Sequence, residues 1–201
     1  KEVSGTAELT MAIMLSLLRK IPQSFDAVKR GMWEPGPFRG NEVSKKKLGV
    51  VGCGRLGAKV SRVAIALGMD VFAYDPYIYR FPAGVTQVDS LTELLSTIDI
   101  LTLHIPLLSE TTHLISTKEI EKMKDEVVII NTSRGSIVST QALLDGLKKG
   151  KIKSAAIDVM EDEHSIKESG HALIDYANKY DNLLITPHIG GATYESVEKT
   201  D

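Results

Sequence analysis

The spacing of hydrophobic residues changes at about residue 45 of this chain. Before that point apolar side chains recur four residues apart, which predicts one buried face of a helix, at Leu9, Ile13, Leu17 and Ile21. Pro22 predicts a break or restart of that helix, and Gly31 predicts the end of a second helical piece. Residues 1–44 are therefore expected to form helices that precede the rest of the fold.

A loop rich in proline and glycine follows, at residues 32–40, and it carries Trp33 and Phe38. Aromatic side chains in such a loop are typical of a contact surface. The alternative interpretation is that Trp33 packs on the local core.

From residue 48 onward, short apolar runs alternate with amphipathic segments. The runs lie at residues 48–51, 71–74, 100–103, 127–130, 154–157 and 183–185. They lack strict alternation, as expected of strands covered on both faces. Helix-like segments at 55–67 and 140–149 end at glycine, and capping boxes begin at Ser90 and Ser116. This order predicts an α/β fold with a doubly wound parallel sheet of the Rossmann type, preceded by N-terminal helices.

Composition narrows the function classes. The chain has 201 residues, of which 43% are hydrophobic and 25% charged, and its net charge is -2. That charge favours neither nucleic acid nor an acidic membrane as a partner. The single cysteine, Cys53, excludes an internal disulfide and suits a reducing compartment. Residues 9–18 form the longest apolar stretch, which is too short to span a bilayer. With no leader pattern at the start, a cytoplasmic location is expected.

A glycine turn, Gly52-Cys53-Gly54-Arg55-Leu56-Gly57, stands between the predicted strand 48–51 and a helical segment. Glycines at these spacings allow a tight turn and the close approach of a pyrophosphate to amides at the start of the helix. Asp75 follows Gly57 by eighteen residues, where a carboxylate can bind the adenosine ribose and repel a 2'-phosphate. NAD is therefore favoured, although Arg80 leaves NADP open. A glycine turn that packs without a ligand is the alternative.

Two further residues carry chemistry, and each follows an apolar run. Arg134 can hold a carboxylate through two hydrogen bonds and polarise a neighbouring keto oxygen. His188 can deliver a proton near neutral pH, because the unperturbed pKa of imidazole lies there. The acidic cluster Glu161-Asp162-Glu163 offers a carboxylate partner for that ring. Surface ion pairs would also explain these residues. We expect no metal site, because contiguous residues seldom converge on one ion.

Six motifs in order resemble the cofactor domain of the D-isomer-specific 2-hydroxyacid dehydrogenases. They are Val51-Gly-Cys-Gly-Arg-Leu-Gly57, Tyr74-Asp-Pro76, Leu103-His-Ile-Pro106, Asn131-Thr-Ser-Arg-Gly135, Asp158-Val159 with Glu163, and Pro187-His-Ile-Gly-Gly191. Within the family, the resemblance lies nearest to phosphoglycerate dehydrogenase and glyoxylate or hydroxypyruvate reductase.

The resemblance implies three catalytic residues: Arg134 for the substrate carboxylate, His188 as acid and base, and Glu163 as the partner of His188. It also implies that Asp158 lies against the nicotinamide side of the cofactor, and that His104 positions backbone. The implied NAD-binding positions are Gly52, Gly54, Arg55, Leu56, Gly57, Asp75, His104, Ile105, Pro106, Thr132, Ser133, Arg134, Asp158, His188, Gly190 and Gly191. His113, His164 and His171 are expected to be exposed.

The chain departs from the family pattern in two respects. His164 stands where proline is common after the catalytic glutamate, so the backbone around Glu163 is expected to differ locally from the family pattern. About a hundred residues that build a separate substrate-binding domain in the family are absent before this region. We therefore expect a fragment or isolated domain that binds NAD but turns over slowly. The domain assignment is 1–201, with helices and aromatic loop at 1–44 as a dimer contact and a Rossmann core at 45–201.

Three functions remain open at this point. The leading one is NAD-dependent hydride transfer between a 2-hydroxy acid and a 2-oxo acid by a homodimer. The second is a dinucleotide-sensing regulatory protein, similar to co-repressors on this scaffold. The third, a methyltransferase, gives no account of Arg134, Glu163 and His188 together.

Overall fold

The computed structural model describes residues 4–197, which form a parallel sheet with helices on both faces. The strands are β1 Lys47–Val51, β2 Asp70–Tyr74, β3 Val85–Gln87, β4 Ile100–Leu103, β5 Val127–Asn131, β6 Ile152–Ile157 and β7 Leu183–Ile185. The helices are α1 Ser4–Leu18, α2 Ile21–Lys29, α3 Arg55–Ala66, α4 Leu91–Thr97, α5 Thr117–Lys122, α6 Thr140–Lys149, α7 Ile166–Ser169, α8 Ala172–Ala177 and α9 Tyr194–Val197.

The strand order is β3-β2-β1-β4-β5-β6-β7, and each pairing is parallel. The chain runs outward from β1 to β3, then returns to place β4 on the other side of β1. A crevice therefore opens between β1 and β4 at the carboxyl edge, where open α/β sheets bind ligands. This topology confirms the predicted doubly wound sheet.

The core lies in two apolar layers, one on each face of the sheet. The central strand β4 is fully buried, which explains its uninterrupted apolar run. One layer packs β4 and β5 against α4, α5 and α6, and the other packs α1 and α3 against the opposite face. Met11 and Met14 bury α1 in the second layer, so this helix is built into the domain.

Four details differ from the sequence prediction. Strand β3 was missed because it is three residues long and partly exposed. Strand β6 begins two residues earlier than expected. Ile21 does not extend the buried face of α1, since α1 ends at Leu18 and Ile21 begins α2 with half its surface exposed. Trp33 is 85% exposed, so it does not pack on the core.

Of the two predicted capping boxes, the one at Ser90 has the expected hydrogen bond from the N3 amide and the one at Ser116 does not. Ser90 accepts a hydrogen bond from the Glu93 amide at the start of α4. At α5, by contrast, the Ser116 hydroxyl donates to the Glu119 carboxylate instead of accepting from the backbone. In residues 4–197, no helix has both the length and the apolar character that crossing a membrane requires.

Candidate active site

The residues singled out in the sequence lie in loops that leave the carboxyl ends of β1, β2, β4, β5, β6 and β7. Because these strands are parallel, all those ends meet at one edge of the sheet. Arg134 comes three residues after β5, and His188 comes three residues after β7. Glu163 comes six residues after β6, which lies between those two strands. The topology therefore brings three distant parts of the chain to one region.

Two glycines of the first turn are required by close backbone contacts. Gly52 has φ +85°, and a Cβ there would lie 2.6 Å from the carbonyl oxygen of His104. A Cβ on Gly57 would lie 2.0 Å from the carbonyl oxygen of Gly52. Gly54 is the residue directly before α3, and no atom lies within 4 Å of the position that a Cβ on it would occupy. The turn thus leaves open space at the amino end of α3, as a bound phosphate requires.

A cavity of about 290 Å³ adjoins this turn. Its lining includes Gly52, Gly54, Asp75, His104, Ile105 and Pro106, together with residues that the sequence prediction missed, Tyr77, Leu108, Thr111 and Leu114. Asp75 accepts hydrogen bonds from the Cys53 amide at 2.8 Å and the Tyr77 amide at 2.9 Å. The carboxylate is therefore fixed at the end of β2. Of the remaining turn residues, Arg55 is exposed and Leu56 is half-buried.

Burial raises the pKa of the Cys53 thiol, although a hydrogen bond with Ser61 acts in the opposite direction. The side chain is buried in the layer beneath the turn. Because the thiolate is the reactive form of cysteine, a buried thiol with a raised pKa is poorly reactive, and Cys53 contributes to the packing of this layer.

His104 lies on the floor of the crevice and is uncharged. Burial lowers the pKa of its imidazole to about 3. Its Nε2 is 3.0 Å from the Thr102 hydroxyl, and its amide donates to the carbonyl oxygen of Val51 at 2.8 Å. His104 also presents the carbonyl oxygen that crowds Gly52. These contacts connect β4 to the glycine turn.

The loop after β5 is held by side-chain hydrogen bonds to backbone. Asn131 accepts from the Ser133 amide and donates to the carbonyl oxygen of Arg134, both at 3.0 Å. The Ser133 hydroxyl donates to the carbonyl oxygen of Ile105, and the Thr132 hydroxyl lies 2.7 Å from the Thr10 hydroxyl of α1. Neither Asn131 nor Thr10 was singled out from the sequence; the only signal was that Asn131 opens the Asn131-Thr-Ser-Arg-Gly135 motif.

Arg134 itself is exposed, and its Nη1 donates to the carbonyl oxygen of Ser133 at 2.6 Å. Among the ion pairs found in residues 4–197, none involves Arg134. The surface salt bridge considered for this residue is therefore not formed within the described part of the chain. The guanidinium keeps donors available for a carboxylate ligand.

Asp158 is a buried carboxylate that organises the loop after β7. It is 2% exposed, and it accepts hydrogen bonds from the Thr186 hydroxyl at 2.5 Å, the Ile189 amide at 2.9 Å and the Gly190 amide at 2.8 Å. Its carbonyl oxygen accepts from the His188 amide at 2.9 Å. Each of these bonds connects the end of β6 to the segment that carries His188.

The imidazole of His188 meets the carboxylate of Glu163. The distance from Nδ1 to Oε1 is 2.6 Å, and the other carboxylate oxygen of Glu163 lies 3.4 Å from the Met160 amide. His188 has φ +55° and about half of its side chain is exposed. Its Nε2 has no hydrogen-bond partner among the described residues. The ring can therefore exchange a proton on one side while Glu163 holds the other.

The two halves of the site approach through Gly135. A Cβ on Gly135 would lie 2.0 Å from the carbonyl carbon of Met160, so only glycine permits this contact. Arg134 is thereby adjacent to the turn that carries Glu163.

A cavity of about 690 Å³ is lined by Asp158, Glu163 and His188 but not by Arg134. At the front of the chain, Thr6 donates to the carbonyl oxygen of Gly190. No atom lies within 4 Å of the position that a Cβ on Gly191 would take.

Two of the three remaining histidines match the expectation of exposure. His113 and His164 are exposed as predicted, whereas His171 is only partly exposed. His113 and His171 also have hydrogen-bond partners. His113 lies 2.5 Å from the Glu161 carboxylate, and His171 accepts from the Leu173 amide and lies 3.1 Å from the carbonyl oxygen of Glu161. Within residues 4–197, no three histidine, cysteine, aspartate or glutamate side chains are placed to hold a metal ion.

The doubly wound sheet, the glycine turn and Asp75 define a dinucleotide-binding domain. The chain belongs to the D-isomer specific 2-hydroxyacid dehydrogenase family, whose NAD binding domain matches residues 11–190. It is 42% identical over 195 residues to D-3-phosphoglycerate dehydrogenase of Methanocaldococcus jannaschii, which covers 96% of this chain and 36% of that protein. It is 38% identical over 192 residues to hydroxypyruvate reductase of Thermotoga maritima, covering 96% of this chain and 61% of that protein.

Solved structures agree with this assignment. The D-lactate dehydrogenase from Aquifex aeolicus, complexed with NAD and lactic acid, superposes with a TM-score of 0.87 at 34% identity. The match covers 98% of this chain and 62% of that chain. An acyclic imino acid reductase in complex with NADPH and D-Arg has a TM-score of 0.86 at 31% identity. The chain thus spans between about a third and three fifths of the length of these relatives.

Replacing His104 with glutamine should flatten the acid side of the stability profile. The pKa of His104 falls from 6.5 to about 3 on folding, so between these values the unfolded chain binds a proton that the folded chain excludes. Stability is therefore lost as the pH falls through this window, by up to about 1.4 kcal/mol per pH unit. Urea unfolding of wild type and His104→Gln across the window measures this. The exposed His164→Gln should keep the wild-type slope, and equal slopes in all three proteins would contradict the assignment.

Proposed function

We propose that the protein interconverts a 2-hydroxy acid and the corresponding 2-oxo acid with NAD(H) as cofactor. The observation that carries this proposal is the 2.6 Å contact between His188 and Glu163, beside the loop that bears Arg134. Family membership supports the reaction class, since the relatives include phosphoglycerate dehydrogenases, a hydroxypyruvate reductase and D-lactate dehydrogenases. No observation favours the regulatory alternative, and the family match leaves the methyltransferase without support.

The residues present fit a dinucleotide. Open space beside Gly54 and the amino end of α3 would receive the pyrophosphate, and Asp75 would accept hydrogen bonds from the adenosine ribose. We further infer that His104, Ile105 and Pro106 line the crevice, and that Thr132, Ser133, Arg134, Asp158, His188, Gly190 and Gly191 surround the nicotinamide end. When bound, the cofactor supplies the hydride that reduces the carbonyl carbon.

The proposed roles follow from the chemistry of each side chain. Arg134 would hold the substrate carboxylate with two parallel hydrogen bonds and orient the keto oxygen towards His188. His188 would donate a proton from Nε2 to that oxygen as it gains negative charge, and would accept the proton in the oxidative direction. Glu163 would orient the ring through Nδ1. The substrate side chain would be selected by parts of the protein beyond these residues.

Residues 1–201 would act as one NAD-binding domain, with the dinucleotide core at 45–201 and a dimer contact within 1–44. Residues 1–3 and 198–201 of this assignment lie outside the described residues. The cytoplasmic location expected from the sequence stays a prediction. The slow turnover expected of the 201-residue chain alone is also still a prediction. Its cofactor binding can be measured by NADH fluorescence.

In the full-length natural protein, NADH should be consumed with a panel of 2-oxo acids: glyoxylate, hydroxypyruvate, pyruvate and 3-phosphohydroxypyruvate. His188→Asn should lower kcat by about 10²- to 10⁴-fold, because the proton donor is lost while asparagine still tolerates the left-handed backbone. Arg134→Lys should mainly raise KM for the acid, since the planar fork is lost. Both variants should still bind NADH, because the glycine turn and Asp75 at the other end of the proposed cofactor site are unchanged. His164→Asn is the matched control, and equal activity in all variants would refute the assigned roles.

We also propose that the protein is a homodimer formed through its front segment. Exposed apolar side chains cluster there, at Ile21, Phe25, Val28, Met32 and Trp33. A patch of this kind is typical of an interface.

Sedimentation at micromolar concentration should show a dimer, and Phe25→Asp should convert it to a monomer by placing a charge in the contact. Val63→Asp, on the exposed face of α3, should leave the dimer intact. A wild-type monomer, or a Phe25→Asp dimer, would exclude this interface.

A further inference from the structure

The carboxylate of Glu161 joins segments that follow three different strands. Its Oε1 lies 2.5 Å from Nε2 of His113, in the loop after β4. Its Oε2 accepts from the Thr140 amide at 2.7 Å, at the start of α6 and beyond β5. Glu161 itself follows β6. One side chain thus connects the loops that leave three adjacent strands at the carboxyl edge.

The main chain of Glu161 adds a further contact. The Nδ1 of His171 accepts from the Leu173 amide, so its Nε2 carries the proton and donates to the carbonyl oxygen of Glu161 at 3.1 Å. This bond ties the turn to the start of α8. The amide nitrogen of Glu161 also lies 2.4 Å from the position that a Cβ on Gly135 would take, so the turn is packed directly against the Arg134 loop.

The Glu161 carboxylate is held in its charged form. Burial alone would raise its pKa, but hydrogen bonds from Thr140 and His113 outweigh burial and lower the pKa below its usual value. About a fifth of the side chain is exposed, and the Thr140 amide is a fixed donor. A charged acceptor with two fixed partners holds the backbone around it more firmly than an exposed carboxylate would.

The turn at 160–163 separates the two glutamates. Asp162 between them has φ +50°, and its side chain is exposed. Glu161 points to the loops after β4 and β5, whereas Glu163 reaches His188 after β7 and approaches the Met160 amide. Neighbouring carboxylates of one acidic cluster therefore contact different histidines on opposite sides of the same turn.

We propose that Glu161 is a positioning residue, which fixes the turn so that Glu163 meets His188 while the Arg134 loop stays packed beside it. This role rests on the proposed function. It extends that function by assigning a task to a carboxylate that touches neither substrate nor cofactor. Catalytic geometry is sensitive to displacement of this kind, because small shifts of an acid–base pair lower the rate substantially.

The test compares Glu161→Gln with Asp162→Asn in the full-length protein. Both changes remove one negative charge from the same turn. Among the described residues, the Glu161 carboxylate has hydrogen-bond partners and the Asp162 carboxylate has none. Glu161→Gln should lower kcat about tenfold and leave KM and NADH binding unchanged, whereas Asp162→Asn should have no effect. His113→Asn removes the same contact from the other side and should lower kcat in the same direction. Asparagine suits His113 because its φ is +51°.

A double-mutant cycle separates positioning from general destabilisation. If Glu161 acts through Glu163, Glu161→Gln should change kcat less than twofold in a Glu163→Gln background. Independent, multiplicative losses would overturn the proposal, and so would a Glu161→Gln protein that matches Asp162→Asn.

Failure of the proposed function would appear differently, as a wild-type protein that reduces no 2-oxo acid. In that case the ring ¹⁵N chemical shifts of His188 still decide about Glu161, because they report the hydrogen bond to Glu163. A shift change in Glu161→Gln but not in Asp162→Asn supports the positioning role. Unchanged shifts in both overturn it.

Discussion

The arrangement of the site depends on one buried carboxylate, that of Asp158. A carboxylate removed from water is costly unless its oxygens accept hydrogen bonds. Here the donors come from Thr186, Ile189 and Gly190, all in the loop after β7. The need to satisfy Asp158 therefore holds this loop against the end of β6. His188 lies in the middle of the loop, and its left-handed backbone is kept in place by the bonds on either side.

The parallel sheet supplies the rest of the geometry. Strands β5, β6 and β7 are neighbours, so the loops with Arg134, Glu163 and His188 leave the same edge side by side. Glycines are required where these loops touch: Gly135 permits contact with Met160, and Gly52 permits contact with His104. Helix α1 also holds two of these loops by hydrogen bonds, from Thr6 to Gly190 and between Thr10 and Thr132. The site is therefore assembled from segments that lie far apart in the sequence, and no local sequence pattern shows that they meet.

The sequence predicts the sheet well, because strands buried on both faces leave continuous apolar runs that are easy to find. Strand β3 has no such run, since it is short and partly exposed at the sheet edge. Gly52 and Gly57 could be found by spacing alone, whereas the hydrogen bond between Thr10 and Thr132 spans 122 residues and leaves no trace in either segment. Among the three acidic residues of the 161–163 cluster, only the family resemblance selected Glu163 as the partner of His188, and the structure has that contact. The contact between Glu161 and His113 had no signal in the sequence, because 48 residues separate the two.

The most direct test of this account is native-state hydrogen exchange at the Ile189 and Gly190 amides in Asp158→Asn. The substitution keeps the size of the side chain but turns one acceptor into a donor, and it removes the charge. Hydrogen bonds to a charged group contribute about 1.5–3 kcal/mol each, so both amides should exchange roughly tenfold to a hundredfold faster than in wild type. Asp162→Asn serves as the control and should exchange as wild type does. Unchanged protection of both amides in Asp158→Asn would contradict the central role of this carboxylate.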